Sequence, residues 1–269
     1  MTRIRSIVRP LVVVAIAILA ILAVTAPAGA ITGGTEDTTN RYSNVGMVVF
    51  YQPDGRFRCS GTLIAPRVFL TAAHCTFQDI GKVVVTFDWE ISRTEPESEV
   101  DIPGAADHSG PADAHSTVGF TATDIAPPKY QGEQTWAHLN QFAQPALNKT
   151  EFLTIGYGTE VRRTAETGPQ NPVPQRQPIV RRYTTEIGQK LTVQILQMNA
   201  NEHDPRAGGG TCFGDSGGPA MHGGYVVADT SYGYTNNCRY LGGYQRVDTP
   251  VVRNWLLDCL ADLVCETKT

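Results

Sequence analysis

No two cysteines are separated by only two residues, so the C-x-x-C thiolate pair typical of zinc sites is missing. There is no long run of lysine and arginine, and the formal net charge is −4. Such a chain has no basic stripe to grip a nucleic-acid backbone. The longest apolar run, LVVVAIAILAILAV at Leu11 to Val24, falls short of the roughly 20 residues of a membrane span. No internal repeat and no alternation of strand and helix patterns occurs, which excludes solenoids and parallel α/β sheets. Charged residues make up only 18%, against 41% hydrophobic, so the chain is not a disordered one.

The sequence opens on an export leader. Arg3, Arg5 and Arg9 precede the apolar run, and TAPAGA follows it, with Ala28 and Ala30 in a small-x-small pattern. Residues 1–30 therefore read as a secretory signal peptide, cut after Ala30 or, as the rival, after Ala28 with Gly29 and Ala30 trimmed later. Its only charges are three arginines, so removal takes the net charge from −4 to −7. A soluble, acidic, secreted protein is expected. Six cysteines suit an oxidising compartment and predict disulfides, with fifteen pairings open on spacing alone.

The mature chain reads as all-β. VGMVVFY at 45, VFLTAA at 68, KVVVTFD at 82, EFLTIGY at 151, LTVQILQM at 191 and GYVVADTSY at 224 are short β-rich runs parted by Gly, Pro and Asn. Near the end, Thr249 and Pro250 fit a helix start, and Val252, Trp255, Leu256, Cys259, Leu260 and Leu263 fall on one helical face. The polar stretches 92–116 and 162–178, broken by Pro and Gly, read as exposed loops. Asp107, His108, Asp113 and His115 in the first read as solvated groups, not a metal site.

Chemistry concentrates in two places. GGGTCFGDSGGPA, 208–220, sets six glycines around Ser216 and Asp215. CSGTLIAPRVFLTAAHC, 59–75, puts His74 after an apolar strand. A serine hydroxyl is a weak nucleophile until an imidazole takes its proton, and backbone N–H groups must hold the oxyanion that forms. GDSGG also matches the nucleophile elbow of α/β-hydrolases, which needs an acid and then a histidine downstream. Only His222 follows Ser216, with no acid between them, so that reading is rejected.

TAAHC and GDSGGP, in that order, resemble the two signatures of the trypsin/chymotrypsin-like serine peptidases. ITGG at Ile31, IGYG at 155–158 and YQRVDTP at 244–250 extend the likeness over nearly all of Ile31 to about Leu260. The resemblance implies two six-stranded antiparallel barrels with a C-terminal helix. The domain would cover 31–262, with a barrel boundary near 137–150 and a tail at 263–269. It implies Ser216 as nucleophile, His74 as base and then acid, and the N–H groups of Gly214 and Ser216 as oxyanion hole. It pairs Cys59 with Cys75 and Cys212 with Cys238, which leaves Cys259 with Cys265. It also implies that a new amino group on Ile31 pairs with Asp215, here freed by signal peptidase itself.

For the third triad member the one text match is TDIAPPKY, which offers Asp124, 92 residues before Ser216. Pro127 and Pro128 stand where the family's strand would donate hydrogen bonds. A protease-like binding protein with impaired catalysis is thus the alternative reading. The residue at the pocket floor would be Gly210, with Gly233 and Gly242 or Gly243 along the walls, so the side chain before the cut should be apolar or aromatic. No cofactor and no metal is expected. The expected partners are protein or peptide substrates and a protein inhibitor, not nucleic acid and not a membrane after leader removal. The expected state is a monomer.

Overall fold

The computed structural model describes residues 31–262, apart from 53–54, 66–67, 76–81, 92–99, 104–107, 110–114, 120–145, 160–162, 165–167, 170–177, 202 and 207. The first half of the chain forms β1 (Thr35–Glu36), β2 (Val45–Gln52), β3 (Gly55–Ala65), β4 (Val68–Ala72), β5 (Lys82–Thr86), β6 (Glu90–Ile91), β7 (Val100–Pro103), β8 (His108–Ser109) and β9 (His115–Gly119). The second half forms β10 (Glu151–Gly156), β11 (Arg163–Thr164), β12 (Gly168–Pro169), β13 (Ile179–Val180), β14 (Arg182–Leu191), β15 (Ile195–Asn199), β16 (Pro219–His222), β17 (Tyr225–Gly233) and β18 (Leu241–Arg246). One helix, α1 (Pro250–Asp262), follows.

The second half closes on itself. Strands run β14-β10-β16-β17-β18-β15, and β15 pairs back to β14, with β1 added beside β14. Closure needs strands that bend, and β14, β16 and β17 each carry a register shift, at Gly188/Lys190, Ala220/Met221 and Thr230/Tyr232. The barrel interior holds Phe152, Leu196, Met198, Val227 and Tyr244.

The other seven-stranded sheet, β7-β5-β2-β3-β4-β9-β8, is open. This corrects the expectation of two six-stranded barrels: there is one closed six-stranded barrel and a C-terminal helix. Closing the first sheet would need a ladder between its edges, β7 and β8. Among the described residues none joins them; β8 has only two residues, and β7 ends in Pro103, which has no N–H to give. The expected boundary near 137–150 falls mostly outside the described residues. So do residues 1–30 and the tail.

Two further readings change. The stretch 92–116 contains β7, β8 and the start of β9, and 162–178 contains the β11–β12 pair. Both are strands too short or too polar to show apolar alternation. The helix forms where the pattern placed it: the N–H of Val252 donates to Thr249 Oγ1 at 3.4 Å, and that of Arg253 to Thr249 O at 2.8 Å. Its buried Val252, Trp255, Leu256 and Cys259 join Val45, Val68 and Leu70 from the open sheet and Ile155 and Val226 from the barrel in one cluster. The helix thereby fastens the two halves. No helix among the described residues is long and apolar enough to cross a membrane.

A second fastening is polar. The Arg181 guanidinium is completely buried and pairs through Nε with Asp37 Oδ2 at 2.9 Å. Its Nη1 donates to Val45 O at 2.8 Å, Phe87 O at 3.0 Å and the Tyr157 hydroxyl at 3.0 Å, and Nη2 donates to Asn40 Oδ1. The Asp37 carboxylate also receives the N–H groups of Arg41 and Tyr42. One cation thus ties the N-terminal segment to both sheets.

Candidate active site

Strand β4 is buried throughout and runs into a 3-10 turn, Ala73–Cys75. Within it Ala73 and Cys75 are buried and His74 is exposed. The turn is fixed to β3 by the Cys59–Cys75 disulfide. The sulfurs of Cys59 and Cys75 and a ring nitrogen of His74 lie within 4.8 Å of one another. Both sulfurs are spent on the disulfide, so the cluster is not a thiolate metal site. Although part of its surface is exposed, His74 is partly desolvated by the protein around it, which lowers its pKa from the ordinary value, and the charge of Asp229 acts in the opposite sense.

Ser216 sits half-buried on a turn held from several sides. Its carbonyl accepts the Ser60 N–H at 2.9 Å. The Gly217 N–H donates to Thr230 O at 2.7 Å, and the Thr230 N–H returns a bond to Gly218 O at 2.8 Å. The glycines are required by shape. Gly217 has φ +77°, and a Cβ there would lie 2.2 Å from Thr71 Oγ1 and 2.5 Å from the Ala72 nitrogen. Gly214 has φ +93° and approaches Gly158, where a Cβ would stand 3.1 Å from the Gly158 Cα. Among the described residues, the N–H groups of Gly214 and Ser216 donate to no protein acceptor.

The loop's other anchor is Asp215, fully buried. Its carboxylate accepts the Cys212 N–H at 2.8 Å and the Gly158 N–H at 2.7 Å. Burial outweighs those bonds and pushes its pKa up to about 7. Ile31 is also fully buried, and the next residue, Thr32, exchanges backbone bonds of 2.9 and 3.1 Å with Gly210. The Cys212–Cys238 disulfide closes the loop against the far wall. Cys259 is buried on α1; Cys265 lies outside the described residues, as does Asp124.

His74 and Ser216 line the same cavity, of about 270 Å³, together with Thr211, Phe213, Tyr232 and Gly233. Gly210 is not in that lining; it packs on Ala200, where a Cβ would come within 2.2 Å. Nor does Gly243 leave an open wall, because the Tyr232 ring occupies the space its side chain would take.

Sequence reasoning missed three buried groups around this cavity. Ser60 bridges the site: its hydroxyl donates to Gly214 O at 2.9 Å and accepts the Tyr157 N–H at 2.9 Å. Glu186 accepts from the Tyr244 hydroxyl at 2.6 Å, the Thr154 hydroxyl at 3.1 Å and the Thr211 N–H at 3.2 Å. Burial raises its pKa to about 8, so below that pH it is neutral and puts no charge behind the pocket wall. Asp229, on β17, is the third, at 1% exposure. A signal for it was present: an acid inside the apolar run YVVADTSY.

The family model described as Trypsin matches residues 31–256. Brachyurin from Leptuca pugilator is 27% identical over 225 residues, 82% of this chain and 93% of its own length. Trypsin delta from Drosophila melanogaster is 25% identical over 241 residues, 85% of this chain and 88% of its own. In fold, the chain is similar to HL collagenase, with a TM-score of 0.57, 19% identity, and 86% and 98% of the two chains covered. It is also similar to human heparin binding protein, with a TM-score of 0.60, 18% identity, and 86% and 96% covered.

Proposed function

Because this chain belongs to the trypsin family, we propose that it is a serine endopeptidase acting through an acyl-enzyme. The observation that carries this reading is that Ser216, on a glycine-bounded turn, and His74, at the end of a rigid strand, line one cavity. His74 takes the Ser216 proton as the hydroxyl attacks a peptide carbonyl, then returns it to the leaving amine. The N–H groups of Gly214 and Ser216 receive the oxyanion. The lowered His74 pKa leaves the imidazole neutral, as a base must be, at neutral pH.

Among the described residues, the cavity lining carries no carboxylate and no guanidinium. Fluorogenic peptides with Phe, Tyr or Leu before the cut should therefore have kcat/KM at least about tenfold above Arg or Lys analogues. Faster cleavage after Arg would reject this pocket. Turnover of any such peptide that is lost in Ser216→Ala tests the endopeptidase reading itself. Protein or peptide substrates are the partners this site admits, and a protein inhibitor would occupy the same cavity.

The leader and the two disulfides support export. A carboxyl raised to about 7, as at Asp215, is only part-ionised at neutral pH, and an α-amino cation beside it would favour the ionised form. The buried Ile31 with its Thr32–Gly210 pairing is placed to bring an α-amino group to this region once Ala30 is removed. N-terminal sequencing of active secreted protein should return Ile31 as the first residue. Losing one side of a buried pair costs on the order of 3–5 kcal/mol, so material starting at Gly29 should be at least about 100-fold less active. Full activity in the extended form would overturn this.

A further inference from the structure

We propose that Asp229, on β17 of the barrel, is the carboxylate that positions His74. The proposal rests on the peptidase reading and adds a residue to its site. Strand β17 begins among barrel residues, with Val227 and Ala228 in the core, and ends at the cavity, where Thr230, Ser231, Tyr232 and Gly233 stand in the lining with His74 and Ser216. Asp229 lies at the junction, buried, with Pro219 and Gln245 as its cross-strand neighbours. Its strand packs against β4, the strand that delivers His74. The next residue, Thr230, is bonded in both directions to the Ser216 turn. One rigid strand thus connects Asp229 to the frame that holds both the base and the nucleophile.

An ionised acid in such a place is costly unless a charge or donor answers it. Its charge does act on the imidazole, opposing the depression that burial imposes. The other buried acids near the cavity are engaged elsewhere: Asp215 with the Cys212 and Gly158 N–H groups, and Glu186 with Tyr244, Thr154 and Thr211. Among the described residues, Asp229 is the acid whose charge acts on His74, and Ser216 and Tyr232 share its cavity lining. A carboxylate beside the ring stabilises the imidazolium formed when Ser216 gives up its proton, and fixes the ring's orientation. Asp229 is a positioning residue; it acts through His74.

The test compares Asp229→Asn with Asp124→Asn in the mature chain starting at Ile31. Asp229→Asn should lower kcat about 10³–10⁴-fold with KM changed only a few-fold, while Asp124→Asn leaves kcat within a few-fold. A second readout needs no turnover: the His74 Cε1–H resonance followed by NMR against pH. Its midpoint should fall by about one pH unit or more in Asp229→Asn. Asp229→Ser should move it the same way, so a folding defect in one variant does not decide the matter. An unchanged midpoint and kcat in the Asp229 variants, or the large loss appearing in Asp124→Asn, overturns the proposal. A wild-type chain that hydrolyses nothing, yet shows the midpoint shift, would sink the peptidase reading and leave the pairing of Asp229 with His74 standing.

Discussion

Ser216→Ala should lower peptide hydrolysis about 10⁶-fold, the loss expected when a triad nucleophile is removed. Little else should change. The side chain is half-buried, and the bonds that hold its turn are made by backbone atoms: Ser216 O with the Ser60 N–H, the Gly217 N–H with Thr230 O, and the Gly218 N–H with Asp215 O. Thermal melting should therefore stay within about 2 °C of wild type, since loss of one partly exposed hydroxyl is worth about 0.5 kcal/mol. A stopped assay of the two proteins at equal concentration, with a thermal melt of each, checks both halves. Residual hydrolysis above about 1% of wild type would mean that another group attacks the carbonyl.

The largest effect on folding is expected at Arg181. Arg181→Ala removes the buried cation and strands the Asp37 carboxylate, itself only 1% exposed, with two backbone N–H groups for company. Breaking such a pair from one side costs about 3–5 kcal/mol, which for a domain of this size lowers Tm on the order of 10 °C. Arg181→Lys should rescue little, because one ammonium cannot reach Asp37, Val45 O, Phe87 O and Tyr157 from a single point. The pair Arg206–Asp204, whose arginine is exposed, is the control: Arg206→Ala should move Tm far less. Differential scanning calorimetry of the three variants decides. The loss should also reach the site, because Asp37 and Asn40 belong to the segment that continues from Ile31. A weakened anchor there loosens the docking of Thr32 on Gly210.

Which of these features could be read in the sequence follows from how local their causes are. His74 and Ser216 stand in short runs whose residue types are dictated on the spot: glycines where φ is positive or backbones touch, and an apolar strand before the base. The helix was legible for the same reason, since a cap and one apolar face are properties of consecutive residues. Barrel closure is different. It depends on whether β15 meets β14 and whether β7 meets β8, and no window of ten residues contains that information. Arg181 looks like any surface arginine until Asp37, 144 positions away, is brought to it. Asp124 rests on the likeness of TDIAPPKY to a strand pattern and lies outside the described residues. The acid proposed to position His74, Asp229, stands inside a run whose β character is the stronger local signal, although an acid in a buried strand needs a reason. Gly210 was placed at a pocket floor by counting back from Ser216, while its neighbours are Thr32 and Ala200.

The central claim is that Ser216 is an activated nucleophile. Labelling of the secreted chain, with Ile31 at its N-terminus, by a fluorophosphonate probe tests it most directly. The account predicts one phosphonyl group per chain, on the peptide containing Ser216, with labelling lost in Ser216→Ala and slowed in His74→Ala. A folded chain, with Ile31 free and both disulfides formed, that takes up no label, or takes it at another serine, would contradict it.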